Sequence, residues 1–126
     1  MTFPIIDSLK SGNQVKKVDP MLNSLFRPSI QPYLISWFKY NPQAEIKKLT
    51  VPILIVQGNS DLQVTVKDAE TLSQANKNAE LLIIDKMNHI MKIVDGDKQA
   101  NLESYKNESL PLSEVMTSKI VSFIKK

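Results

Sequence analysis

Cysteine is absent from this 126-residue chain, and histidine and arginine occur once each, as His89 and Arg27. Without cysteine the chain can form no disulfide, no thiolate nucleophile and no cysteine-based metal site. A single histidine is too few for an ordinary zinc site, which needs several His or Cys ligands. We therefore expect that the chain binds no metal and no other cofactor.

Glycine is also scarce, with three residues at positions 12, 58 and 96. Glycines placed in this way build neither a GxGxxG dinucleotide loop nor a GxxxxGK phosphate loop. They also exclude a GxSxG nucleophile elbow, the sharp strand-to-helix turn that presents a catalytic serine. The sequence thus contains no recognisable nucleotide loop and no recognisable nucleophile.

Charge and hydropathy place the chain among ordinary globular domains. The formal net charge of +3 arises from lysines scattered along the sequence, whereas nucleic-acid binders concentrate their charge and favour arginine. The longest apolar runs, 52–56 and 81–84, are too short to span a bilayer. No long apolar run follows Met1, as a signal peptide would require. We expect no nucleic-acid or membrane partner, and a cytoplasmic location.

The region 1–50 is predicted to be helical. The apolar residues of its first helix have helical spacing: Phe3, Ile5, Ile6 and Leu9. A second helix is expected to begin near Asp19, which would cap it, with Pro20 as its first helical residue. Pro28 and Pro32 are expected to interrupt regular structure. Four aromatic side chains could wall a substrate pocket or pack inside, and we expect packing, because large aromatics are mainly core material: Tyr33, Trp37, Phe38 and Tyr40.

The region 51–126 has the pattern of a βαβ unit followed by a helix. The continuous apolar runs near 52–57 and 80–85 predict parallel strands covered on both faces. Thr65 and Asp68 fit a capping box for the intervening helix, and Ser113 is expected to cap a last helix with four residues on one side: Met116, Ile120, Phe123 and Ile124. The polar stretch 95–111 is expected to be a surface excursion. We predict one α/β domain over 1–126, with a helical region at 1–50 and a βαβα segment at 51–126.

Two residues that can carry chemistry follow the two predicted strands. Asp61 comes after the first strand and His89 after the second. The carboxyl ends of parallel strands lie at one edge of a sheet, so the two side chains should approach each other there. An aspartate can then accept a hydrogen bond from the imidazole, fix its tautomer and stabilise the imidazolium. Alone, Asp61 is typical of a turn residue and His89 of a structural or surface group; together, in this order, they are a more specific signal.

Segments 52–61 (PILIVQGNSD) and 79–89 (AELLIIDKMNH) resemble the final βαβ segment of α/β-hydrolases. Segment 27–40, which contains QPYLISWF at 31–38, is similar to the stretch that leads from the cap into the last strands of some bacterial members. That family runs serine, acid, histidine along the chain. The resemblance implies that Asp61 is the triad acid and His89 the general base. It extends over nearly the whole chain but only over the last third or so of the family's fold.

The departure from the family pattern is the missing nucleophile. The strands that carry the serine and most of the oxyanion hole are absent, and the candidates Ser29, Ser36 and Ser60 lie in no strand-to-helix turn. The resemblance therefore implies a C-terminal fragment of a serine hydrolase for a small-molecule ester or related acyl substrate. Such a fragment, whether an excised domain, a truncated product or half of a split enzyme, should be inactive alone.

Two other interpretations remain open. The chain could be a non-catalytic interaction or assembly domain derived from a hydrolase, or an unrelated small α/β domain in which the aspartate and the histidine coincide by chance. In each case the strand near 52–57 would have an unpaired apolar edge. We therefore expect a homo-oligomer, such as a two-fold dimer, or pairing with a complementing chain at that edge.

Overall fold

The structure is a computed structural model that describes residues 4–126. The predictions made for Met1 and Phe3 lie outside these residues. The chain divides into two compact units, one up to Glu45 and the other Ile46–Lys126. Within residues 4–126, no helix is both long enough and apolar enough to cross a membrane.

The first unit is helical, as predicted. Its helices are α1 (Pro4–Lys10), α2 (Asn23–Phe26), α3 (Gln31–Phe38) and α4 (Pro42–Ile46), the last reaching the boundary of the unit. A 3₁₀ turn at Pro20–Leu22 leads into α2, and its predicted cap is confirmed because the side chain of Asp19 accepts a hydrogen bond from the backbone N–H of Met21 at 2.8 Å. A second 3₁₀ turn, Pro28–Ile30, leads into α3.

Two expectations for α3 were wrong. Pro32 does not interrupt the helix but lies in its first turn, where the missing N–H of proline leaves no helical hydrogen bond unmade. Tyr33 and Trp37 are 54% and 58% exposed instead of packed in a core. They lie one turn apart with ring centroids 4.6 Å from each other. The buried Gln31 occupies a different face of α3, so the helix turns these two neighbouring rings, tilted at 51° to each other, outward.

The second unit is a mixed α/β structure that confirms the predicted fold class. Strands β1 (Ile53–Gly58) and β2 (Ala79–Ile84) pair in parallel, in a register that runs from Ile53 opposite Ala79 to Gly58 opposite Ile84. Helix α5 (Val66–Ala75) connects them. Its predicted capping box is present, since Thr65 and Asp68 exchange both of the expected hydrogen bonds. The two strands therefore end side by side, which sets the position of the segments that follow them.

The core of the second unit lies under these strand ends. Ile84, Met87 and Met116 are buried together, and three half-buried residues pack on them: Val56, Leu82 and Ile120. Met116 belongs to α7 (Glu114–Ile124), which the side chain of Ser113 caps as predicted. Ile124 was expected on the buried side of α7 but is 75% exposed. The segment after β2 is thus anchored by Met87 in the core.

The polar stretch 95–111 is more than a surface excursion, in contrast to the prediction. It contains α6 (Lys98–Ser104), capped by the side chain of Asp97, which accepts a hydrogen bond from the backbone N–H of Ala100 at 3.0 Å. Asn101 and Ser104 on this helix are each only 5% exposed. The buried side of α6 is polar, and for that reason no apolar periodicity marks it in the sequence.

Candidate active site

The segments after β1 and β2 are in direct contact at Gly58. A Cβ atom added to Gly58 would lie 1.9 Å from the backbone oxygen of Met87, so no other residue fits there without a shift of the backbone. The N–H of Ser60 donates to the same oxygen of Met87 at 3.1 Å. The glycine therefore allows the close approach that brings the two segments together.

Asn59 joins the same two segments with its side chain. Its Nδ2 donates to Oδ1 of Asp85 at 2.8 Å, and its Oδ1 accepts from the N–H of Lys86 at 2.7 Å. Lys86 has a φ of 57°, in the left-handed region, so the chain reverses sharply just after β2. These contacts fix the starting position and direction of the segment that leads from Lys86 to His89.

The carboxylate of Asp61, which follows these contacts, makes four hydrogen bonds. Its Oδ1 accepts from the backbone N–H groups of Gln63 at 2.8 Å and Val64 at 3.0 Å. Its Oδ2 accepts from Nε2 of Gln57 at 3.1 Å and lies 3.0 Å from Nδ1 of His89. The side chain is 7% exposed. The structure thus brings the two predicted site residues together, and Asp61 also bonds the N–H groups of its own turn.

The surroundings of Asp61 favour its ionised form. Burial alone would raise the pKa of this carboxyl group, because a desolvated charge is unfavourable. Together, the hydrogen bonds from the N–H groups of Val64 and Gln63 and from the side chains of His89 and Gln57 outweigh that effect and hold the pKa below its ordinary value of 3.8. At neutral pH a carboxylate therefore faces the imidazole.

His89 presents its other nitrogen away from Asp61. The side chain is 39% exposed, and among residues 4–126 no protein group is hydrogen-bonded to Nε2. A carboxylate can only accept, so Nδ1 of a neutral imidazole must carry the proton shared with Asp61. The lone pair of Nε2 is then free to take a proton from another group. The arrangement can act as a general base oriented by an acid.

A buried polar cluster, which the sequence did not predict, supports both segments. Asn88, 1% exposed, donates from Nδ2 to Oδ1 of Asn101 at 3.2 Å and to Oγ of Ser104 at 2.7 Å. Asn101 in turn donates from Nδ2 to the carbonyl of Ser60 at 2.7 Å. A chain of polar side chains from α6 thus reaches the residues immediately before Asp61 and His89.

No serine of the described chain occupies a nucleophile elbow, as the spacing of the glycines requires. Ser36 donates its hydroxyl to the carbonyl of Tyr33 within α3. Ser60 has its N–H bonded to Met87 and its carbonyl bonded to Asn101, both within the acid-bearing turn. In the part of the chain that the structure describes, no three His, Cys, Asp or Glu side chains are placed to hold a metal ion.

Comparison with known proteins finds a similarity to an esterase. No family model matches the chain. Esterase EstD of Thermotoga maritima is 29% identical over 99 residues, a match that covers 68% of this chain and 24% of that esterase. The chain therefore spans about a quarter of the length of this relative. The similarity relates it distantly to hydrolases of the esterase kind, while the catalytic roles of Asp61 and His89 stay predictions.

Proposed function

We propose that the chain is the C-terminal part of a serine α/β-hydrolase and supplies the acid and the histidine of its catalytic triad. The observation that carries the proposal is the 3.0 Å contact between Oδ2 of Asp61 and Nδ1 of His89 at the carboxyl ends of two adjoining parallel strands. Triad residues of open α/β sheets lie at such strand ends. The distant similarity to Esterase EstD supports the hydrolase part of the proposal.

In this proposal His89 acts through Nε2. It takes the proton of a serine hydroxyl while the serine oxygen attacks the acyl carbon, and then delivers that proton to the leaving alcohol. Water completes the cycle by the same route and releases the acid. Asp61 remains ionised throughout, holds Nδ1–H and stabilises the imidazolium that forms at each proton transfer.

The serine must come from residues outside these 126, because the sequence contains no GxSxG elbow. The chain alone therefore has nothing for His89 to deprotonate, and we expect it to be inactive by itself. The substrate class is a carboxylic ester or a related acyl compound, since that is the chemistry a serine, an imidazole and an acid perform together. The fold itself does not select the acyl group.

A hybrid enzyme tests the proposal. The segment of Esterase EstD that matches this chain is replaced by the chain, and hydrolysis of p-nitrophenyl acetate is measured. We expect turnover, because the esterase part would supply the nucleophilic serine that the chain lacks. Asp61→Asn should lower kcat by about 10⁴-fold, the loss seen when a triad aspartate is replaced and the imidazole adopts the wrong tautomer. His89→Ala should abolish turnover.

Asp85→Asn is the matched control for Asp61→Asn. Asp85 is the other acid near the strand ends, but its bond is to Asn59, and an asparagine retains an acceptor oxygen for it. This variant should keep the turnover of the hybrid. A folded hybrid that hydrolyses no ester, or one in which Asp61→Asn and Asp85→Asn behave alike, would contradict the proposed role. A fluorophosphonate adduct on the chain alone that disappears in His89→Ala would contradict its inactivity.

A non-catalytic interaction or assembly domain is the second candidate function. The lack of a nucleophile elbow in the sequence favours it. In that case Asp61→Asn and His89→Ala would change the stability of the chain or its binding to a partner. The folded hybrid would hydrolyse no ester, with or without these substitutions.

A further inference from the structure

Asn101 of α6 contacts both segments that carry the acid–histidine pair. Its Nδ2 donates to the carbonyl of Ser60 at 2.7 Å, and its Oδ1 accepts from Nδ2 of Asn88 at 3.2 Å. Ser60 immediately precedes Asp61, and Asn88 immediately precedes His89. One side-chain amide therefore bridges the two residues next to the pair.

Burial makes this bridge selective for one arrangement. Asn101 is 5% exposed and Asn88 is 1% exposed, so neither amide can replace a lost partner with bulk water. A buried polar group that loses its partner is strongly unfavourable, and this penalises any shift of one segment relative to the other. The ring of His89 has only the bond to Asp61 among the described residues, so its orientation depends on the segment that carries it.

Ser104 does not share this bridging geometry. Its Oγ accepts from Asn88 at 2.7 Å and donates to the backbone carbonyl of Asn101 at 2.6 Å. It therefore supports the histidine segment from within α6 but makes no bond to the acid segment. Asn101 is the member of the cluster that joins both.

We propose that Asn101 is a positioning residue that sets the distance between Asp61 and His89. It touches no reacting atom and acts through Ser60 and Asn88. Its importance for catalysis rests on the proposed function, whereas its effect on the geometry of the pair does not. The same bridge implies that α6 holds the segments of Asp61 and His89 in place and is not merely a helix on the surface.

His89 is the only histidine in the sequence, so its ring nitrogens can be observed without overlap. In the ¹⁵N-labelled chain, at a pH where the ring is neutral, a long-range ¹H–¹⁵N correlation spectrum shows which nitrogen carries the proton. We expect the Nδ1–H tautomer in the wild type, because Oδ2 of Asp61 accepts that proton. Asp61→Ala removes the acceptor and provides the reference spectrum of a broken pair.

The test variant is Asn101→Ala, and its matched control is Asn76→Ala. Asn76 is also a buried asparagine, 6% exposed, and its Nδ2 donates to the carbonyls of Ile46 at 2.7 Å and Leu49 at 2.9 Å. It caps the C-terminal end of α5, before β2 begins and away from the strand ends that carry the pair, and bonds neither segment. Both replacements remove similar buried hydrogen bonds, so their general effect on folding should be comparable.

We expect the spectrum of Asn101→Ala to lose the signal of the Nδ1–H tautomer and to resemble that of Asp61→Ala. Asn76→Ala should keep the wild-type spectrum. If Asn101→Ala does not fold, Asn101→Leu serves instead, since leucine is similar in size but neither donates to Ser60 nor accepts from Asn88. A folded Asn101 variant with the wild-type tautomer overturns the proposal, as does an equal loss in Asn76→Ala. If Asp61→Ala leaves the spectrum unchanged, Asp61 and His89 are not hydrogen-bonded in solution, and that result contradicts the acid–histidine pair on which the proposed function rests.

Discussion

Asp61 uses its two carboxylate oxygens for different purposes. Oδ1 binds the N–H groups of Gln63 and Val64 in its own turn, and Oδ2 faces His89 and Gln57. A turn-forming aspartate and a histidine partner are usually considered alternatives, but here one side chain is both. Because the turn fixes Oδ1, the direction of Oδ2 is fixed as well, and His89 meets an acceptor that is already oriented and ionised.

The lowered pKa of Asp61 makes the stability of the chain depend on pH. The folded state holds this pKa below 3.8, so the unfolded chain takes up the proton first as the pH falls. The contribution of the charge is therefore complete above 3.8 and is lost as the pH falls through the folded pKa. Asp61→Asn has no such charge, so the difference in unfolding free energy between wild type and variant should shrink over that range.

Urea unfolding of both proteins, from neutral pH to well below 3.8, measures that difference. Asparagine keeps an acceptor oxygen for the turn, so the comparison isolates the charge. A difference that stays constant over the whole range would show that the carboxylate has the same pKa in the folded and unfolded chains.

At the scale of whole elements, apolar runs and capping residues predicted most of the second unit. Strands β1 and β2 were expected from their continuous apolar residues, and α5 and α7 from Thr65 and Ser113 at their starts. Helix α6 was missed because the residues that it buries, Asn101 and Ser104, are polar. A hydrophobic pattern detects an apolar face only, so it missed the polar cluster that supports the predicted pair.

The aromatic residues of α3 show the opposite kind of wrong prediction, since they were expected in the core and are exposed. Side-chain size favours burial of Tyr33 and Trp37, yet whether a residue is buried depends on the face of the helix that meets a neighbour. In the first unit that face contains Gln31, whose amide bonds the backbone of Val15 and Phe26. The bonds to Val15 join residues 16 positions apart, so no local sequence pattern predicts which face of α3 is buried.

The capping box of α5 gives a prediction at the same scale. Thr65→Ala removes the side-chain oxygen that accepts from the N–H of Asp68, and it should lower the free energy of unfolding by about 1 kcal/mol. Thr71→Ala is the matched control on the same helix, because the hydroxyl of Thr71 donates to the carbonyl of Lys67, which the helix already uses. That change should stay within about 0.5 kcal/mol of wild type, since alanine is the better helix former.

Thermal and urea unfolding of the two variants measure these effects. Equal losses for Thr65→Ala and Thr71→Ala would mean that the cap adds nothing beyond an ordinary threonine hydroxyl. Because α5 connects β1 with β2, a weakened cap should also loosen the pairing of the strands. Hydrogen exchange of the strand amides would then rise in Thr65→Ala and not in Thr71→Ala.

At the scale of the whole molecule, the sheet is small for its type. Among residues 4–126, β1 and β2 pair only with each other, whereas parallel strands are ordinarily buried within larger sheets. The outer edge of β1 therefore presents unpaired N–H and C=O groups, which are a template for another strand. In the proposed hydrolase, the serine-bearing part would occupy that edge. When the chain is alone, we propose that a second copy does so.

This proposal predicts self-association through β1. Light scattering at micromolar concentration should give twice the single-chain mass of 14.2 kDa, and dilution should lower the measured mass. Pairing at the edge would also protect the β1 amides that do not bond β2, so their hydrogen exchange should slow as concentration rises. A mass of one chain at micromolar concentration, or a dimer whose concentration-dependent protection lies outside β1, would contradict a joined sheet. A two-fold dimer built in this way would place two acid–histidine pairs on one extended sheet, each still without a nucleophilic serine.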